Sequence, residues 1–160
     1  MKYNAAVITV SDTCYSGQNE DLSGPALVDA LQRAGFDVGA REVVPDEMAA
    51  IHAVLEKYLQ DQRFHLILTT GGTGFGPRDV TPEATRTLLE RPAPGLAEYL
   101  RQSGAAQTPL TWLSRGEAGI ARGKLIINLP GSTKAMAHSI ETLRELLLHA
   151  LDLLNGGHPH

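Results

Sequence analysis

Three stretches of the chain are almost continuously apolar: residues 5–10 (AAVITV), 65–69 (HLILT) and 124–129 (KLIINL). Runs this short and this apolar fit strands covered on both faces, as in a parallel sheet. Each stops at a polar or glycine-rich turn, and between them the pattern changes to a helical one. Residues 25–34 place Ala26, Leu27, Ala30 and Leu31 on one face, with Ser23 as the cap and Gly35 as the stop. Residues 36–44 alternate in part and predict a strand nearer an edge, ended by Pro45. Asp46 opens a helix of about four turns with Met48, Ile51, Leu55, Tyr58 and Leu59 facing the core. Strands alternating with helices predict an α/β fold, with a mostly parallel central sheet and helices on both faces.

The second half follows the same rule. Thr81, Pro82 and Glu83 read as cap, first-turn proline and first-turn acid, for a helix ending near Arg91 and Pro92. Residues 95–102 predict a helix with Leu96, Tyr99 and Leu100 inward. Residues 103–123 are the least periodic. They place Trp112 in an apolar patch, in the core or at a subunit interface, and suggest a short helix over 114–120. The last helix runs to about Leu154 on a stripe of Met136, Ile140, Leu143, Leu147, Leu151 and Leu154. The tail from Asn155, with His158 and His160, is expected to fray. His52, His65, His138 and His149 are scattered and read as structural or surface residues.

Composition excludes several classes. A chain of 160 residues with 42% hydrophobic and 20% charged residues suits one soluble domain, here residues 1–160. The net charge is 14 − 18 = −4, which argues against nucleic acid and anionic membrane as partners. No run reaches the about 20 apolar residues of a membrane span, and no leader pattern is seen, so a cytoplasmic location is expected. Cys14 is the single cysteine, so no internal disulfide can form.

Chemistry gathers where the strands end. The four turns hold Ser11-Asp12-Thr13, Pro45-Asp46-Glu47, the stretch GGTGFGPRD at 71–79, and Pro130-Gly131-Ser132-Thr133-Lys134. In a parallel sheet all four lie on one rim, and ligands bind at the point where the strand order switches. The rim would offer carboxylates, hydroxyls, backbone N–H donors and the cations Arg78 and Lys134. That set suits a phosphorylated ligand with a divalent metal, Asp12, Asp46 and Asp79 being candidate ligands. Each residue also has a plain structural role open to it: Asp46 and Ser132 as helix caps, Asp12 as a turn residue, Arg78 and Asp79 as a local ion pair. The glycines do not form a P-loop, because no Gly-Lys pair follows them, and the spacing is not G-x-G-x-x-G. No G-x-S-x-G or H-E-x-x-H pattern occurs.

Residues 69–85 (TTGGTGFGPRDVTPEAT), with NLPGSTKA at 128–135, ITVSD at 8–12 and VPDE at 44–47, resemble the molybdopterin-binding MoaB/Mog family, whose domains also occur in gephyrin. The likeness covers nearly the whole chain. It implies a three-layer α/β/α fold assembled as a homotrimer or a pair of trimers. It also implies Mg²⁺-dependent adenylylation of molybdopterin by ATP within molybdenum cofactor biosynthesis, with other proteins of that route as partners. The family's catalytic aspartates match Asp46 and Asp79, which are also assigned to Mg²⁺. Its glycine segment matches Gly71, Gly72, Thr73 and Gly74, and its last loop matches Pro130, Gly131 and Ser132. Ser11, Asp12, Arg78, Ser132 and Lys134 complete the expected substrate site, their division between pterin and nucleotide left open. A binding or scaffolding module without catalysis is the rival reading; retention of both aspartates weighs against it.

Overall fold

The computed structural model describes residues 2–157. The chain runs β1 (Asn4–Val10), α1 (Asp12–Tyr15), α2 (Ser23–Arg33), β2 (Asp37–Val44), α3 (Met48–Gln60), β3 (Leu66–Thr70) and α4 (Thr81–Arg86). It continues through β4 (Arg91–Pro92), α5 (Pro94–Gly104), a 3-10 turn (Pro109–Leu113), β5 (Ala118–Ala121), β6 (Lys124–Leu129) and α6 (Thr133–Leu154). The six strands form one sheet in the order β2-β1-β3-β6-β5-β4. Strands β2, β1, β3 and β6 are parallel; β5 returns antiparallel to β6, and β4 lies antiparallel to β5 at the edge.

The apolar runs are strands because they are covered twice. Successive strand residues face opposite sides. Ala5, Val7, Leu66, Leu68, Leu125 and Ile127 meet α2, α5 and α6 on one face. Ala6, Ile8, Val10, Ile67 and Ile126 meet α3 and Ala84 of α4 on the other. Full burial of one Leu or Ile contributes about 1.5–3 kcal/mol relative to exposure, so the alternation fixes both layers at once. The expected stripe of α6 is buried from Met136 to Leu151, with Leu154 half-buried. This is the three-layer α/β/α fold. No described helix is long and apolar enough to cross a membrane.

Local details differ from expectation for identifiable reasons. Ser23 is the first residue of α2 rather than its cap, and the Asp21 carboxylate takes the Gly24 N–H instead, at 3.0 Å. Met48 begins α3 one turn before the stripe reaches the sheet and is 42% exposed. On α5, Ala97 and Leu100 take the inward positions, which leaves Tyr99 on the outer side, 44% exposed. The helix from Thr81 stops at Arg86, because Glu90 and Ala93 donate backbone bonds to Ile120 and Ala118 and draw residues 91–92 onto the sheet edge. No helix forms over 114–120: residues 114–117 are irregular and β5 begins at Ala118. A two-residue turn at Arg122 (φ 50°) and Gly123 (φ 73°) joins it to β6, so Arg-Gly stands where Asn-Gly would have signalled the hairpin. Trp112 is not in the core but 55% exposed on the 3-10 turn. His65 is structural, its Nδ1 accepting from the Asn4 N–H at 3.1 Å. His158 and His160 lie outside the described residues.

Candidate active site

The register brings the four turns together. Val10 pairs with Val44, Thr9 with Thr70, and Thr70 with Leu129, so the strand ends share one rim. The chain leaves β1 for β2 on one side and returns to β3 on the other. The crevice therefore opens between the ends of β1 and β3, the ligand position for such sheets. A groove of about 470 Å³ lies there, lined by Ser11, Asp46, Gly71, Gly72, Asp79 and Gly131 among the expected residues. Thr13, Cys14, Asn19, Thr70 and Thr133 also line it.

The first two turns are braced against each other. The Asp12 N–H donates to Asp46 Oδ2 and the Asp46 N–H donates to Asp12 Oδ1, both at 2.9 Å. Asp46 is therefore not a helix cap; α3 starts after Glu47 with no side-chain cap. Arg78 does not pair with Asp79. It grips Asp12 with Nε and Nη2, each at 3.0 Å. That guanidinium, with the Asp46 N–H, holds the Asp12 carboxyl below its usual range. Burial, aided by the Asp12 and Asp79 charges, pushes the Asp46 carboxyl above its range. The rim thus carries one neutralised carboxylate and, beside it, one short of positive charge.

The glycine turn runs close to both. Gly71 (φ 97°) and Gly72 (φ 69°) occupy conformations that a side chain resists. A Cβ on Gly72 would lie 3.1 Å from Asp46 Oδ1, so glycine lets the turn pass the carboxylate. Thr81 is the first residue of α4 rather than its cap; its hydroxyl donates to the Gly71 carbonyl at 3.1 Å and anchors the turn. Asp79 Oδ2 accepts from the Gly76 N–H at 2.9 Å, which aims the carboxylate back over the loop.

Other expected residues stand apart from the groove. Thr73 is 6% exposed, and Gly74 lies outside the lining. The Pro130 carbonyl accepts from the Thr70 hydroxyl at 2.8 Å and holds the last turn to β3. Ser132 caps α6 through the Ala135 N–H at 3.4 Å, and Lys134 is exposed on the first turn of α6.

Residues 6–149 match the family model described as a probable molybdopterin binding domain. The chain belongs to this family. It is similar to the molybdenum cofactor synthesis protein cinnamon of Drosophila melanogaster, 45% identical over 149 residues that cover 92% of this chain and 25% of cinnamon. It is also similar to a molybdopterin adenylyltransferase of Helicobacter pylori, 36% identical over 154 residues, 95% of this chain and 88% of that one. Among solved structures, the molybdopterin biosynthesis enzyme MoaB of Thermus thermophilus superposes with a TM-score of 0.90 at 45% identity, covering 96% of this chain and 97% of that one. Cinnamon and two bifunctional bacterial relatives are longer proteins; the chain spans 25%, 47% and 49% of their lengths.

Within this domain, two residues that support the rim escape a reading of the sequence. Arg115, from the segment without periodicity, ties down the glycine loop. Asn128 sits buried in β6 and links three elements. Its amide donates to the hydroxyls of Thr69 and Thr85 at 3.0 Å each, and its oxygen accepts from the Glu117 N–H at 3.0 Å. An amide inside an otherwise apolar strand was the available signal. Asn128→Ala leaves those partners unsatisfied under cover, and we expect it to cost about 2–4 kcal/mol. Thermal unfolding should show a Tm lowered by roughly 6–12 °C; a shift below about 2 °C would refute this role.

Proposed function

We propose that the chain transfers AMP from ATP to the terminal phosphate of molybdopterin, releasing pyrophosphate, within molybdenum cofactor biosynthesis. The observation that carries the reading is the pair Asp46 and Asp79 opening on one groove beside the glycine turn. Relatives that bear the name molybdopterin adenylyltransferase support it. In the reaction a phosphate oxygen of the pterin attacks the α-phosphorus of ATP. The bond from that phosphorus to the oxygen leading to the β-phosphate breaks, and its electron pair leaves with pyrophosphate. The attacking phosphate is already a nucleophile, so no activated Ser or Cys is required. Positioning and charge neutralisation are the chain's tasks.

The donor set fits Mg²⁺. Among the described residues no three His, Cys, Asp or Glu side chains converge as a cage. Mg²⁺ needs only one or two carboxylates, the remaining positions going to phosphate oxygens and water. Asp46 and Asp79 would hold it, and a cation there would relieve the burial and the like charges that act on Asp46. When bound, it neutralises charge on the α-phosphate and on the leaving pyrophosphate. Gly131 and Thr133 bring the first turn of the 22-residue helix α6 to the groove, where its positive end favours phosphate. In this reading Ser132 and Lys134 act at that end, Ser11 and Asp12 belong to the pterin side, and Thr73 and Gly74 shape the loop around phosphate. Arg78 keeps Asp12 out of the metal's reach by occupying both of its oxygens. A homotrimer or pair of trimers goes with the reading; the exposed Tyr99, Leu110, Trp112 and Leu113 supply apolar surface for it.

Incubation with molybdopterin, ATP and Mg²⁺ is expected to yield adenylylated pterin and pyrophosphate in equal amounts. Pterin binding without either product would make the chain a binding module instead.

A further inference from the structure

The loop that carries Asp79 has little holding it from within. Residues 75–78 are exposed and belong to no helix or strand. Inside the loop, Asp79 and Gly76 exchange a backbone bond and a side-chain bond. From outside, Arg78 at the tip is paired with Asp12, and the remaining ties to the stretch 73–79 converge on Arg115. Its backbone N–H donates to the Thr73 carbonyl at 2.8 Å. Its Nε donates to the Gly74 carbonyl at 2.9 Å, and its Nη2 to the Asp79 carbonyl at 2.8 Å. Nη1 pairs with Glu83 on α4. One guanidinium thus grips the chain on both sides of the exposed tip and fixes the result to the next helix.

We propose that Arg115 is a positioning residue for the reaction: it sets the separation of Gly74 and Asp79 and so holds the Asp79 carboxylate at the groove opposite Asp46. The inference rests on the adenylyltransfer reading for its kinetic consequence, but not for its structural one. The fork geometry explains why arginine stands here. A planar guanidinium offers N–H groups in fixed directions to several carbonyls, whereas a lysine ammonium is a single point charge on a flexible stem. Arg115 does not itself line the groove, so its effect passes through the loop.

Arg115→Ala and Arg115→Lys test this with two readouts. The first is hydrogen exchange of the peptide spanning residues 73–80, followed by mass spectrometry. Exchange there should rise at least about tenfold in both variants while β1, β3 and β6 keep their protection. The second is turnover. A misplacement of about 1 Å lowers kcat by about 100-fold. KM for ATP and for molybdopterin should stay within about threefold, since the groove walls remain. Millimolar free guanidinium should restore part of the lost turnover in Arg115→Ala, which a generally loosened fold would not allow. Unchanged exchange at 73–80 overturns the proposal whatever the activity. Raised exchange with normal kcat confines Arg115 to stability and overturns the positioning role. If the unmodified protein makes no product while exchange rises as expected, the adenylyltransfer reading fails and the loop anchor stands. Should Arg115→Ala not fold, Arg115→Lys decides the question, because it retains the charge and loses only the fork.

Discussion

Asp79→Asn is expected to lower kcat by about 10³-fold, equivalent to about 4 kcal/mol of transition-state stabilisation. The substitution changes one atom. The Asn oxygen can still accept the Gly76 N–H that Asp79 Oδ2 accepts at 2.9 Å, so the loop keeps its shape. What disappears is a negative charge beside Asp46, in a groove that has already spent its local cation on Asp12. Molybdopterin affinity should change by less than about threefold, because lost transition-state charge stabilisation acts on kcat and not on ground-state binding. Residual activity should need more Mg²⁺ than the unmodified protein. Measuring kcat against Mg²⁺ concentration for both proteins checks the assignment. Turnover equal to that of the parent would remove Asp79 from the mechanism, and an unchanged Mg²⁺ requirement would remove it from the metal.

The sequence made the layers and the rim legible for one physical reason. Burial on both faces leaves no room for polar alternation, so residues 5–10, 65–69 and 124–129 announced a covered parallel sheet. Parallel strands then forced their following turns to one side. That geometry alone brings Asp46, Asp79 and the glycine turn to one rim. What stayed hidden depends on partners far away in the chain. Arg78 stands next to Asp79 in the chain, yet its guanidinium reaches Asp12, 66 positions away. Thr81 looked like a cap because cap residues and turn anchors share the same chemistry. The segment around Arg115 gave no period, since β5 is four residues long and its turn uses Arg122 in a conformation usually left to Asn or Gly. A short edge hairpin is specified by tertiary contact, and periodicity cannot see it.

Gly71→Ala is expected to destabilise the fold by about 3–4 kcal/mol, and a control separates the two causes. Gly71 and Gly35 share the same φ of 97°. A Cβ on Gly35 meets nothing within 4 Å, whereas one on Gly71 would lie 2.4 Å from the Val10 carbonyl oxygen. Gly35→Ala therefore carries only the strain of a left-handed conformation, about 1–2 kcal/mol. Gly71→Ala adds a collision with the backbone of β1, which is paired to β2 through Val10 and to β3 through Thr9 and so resists displacement. Thermal unfolding should lower Tm by roughly 10 °C for Gly71→Ala and roughly 4 °C for Gly35→Ala. Equal losses would show that conformation alone, and not close approach, demands glycine at 71. The distinction bears on function. The approach of Gly71 to Val10 lies at the ends of β1 and β3, where both residues line the same groove as Asp46 and Asp79. In the proposed adenylyltransfer, a residue that widened that gap would lower turnover even in molecules that still fold.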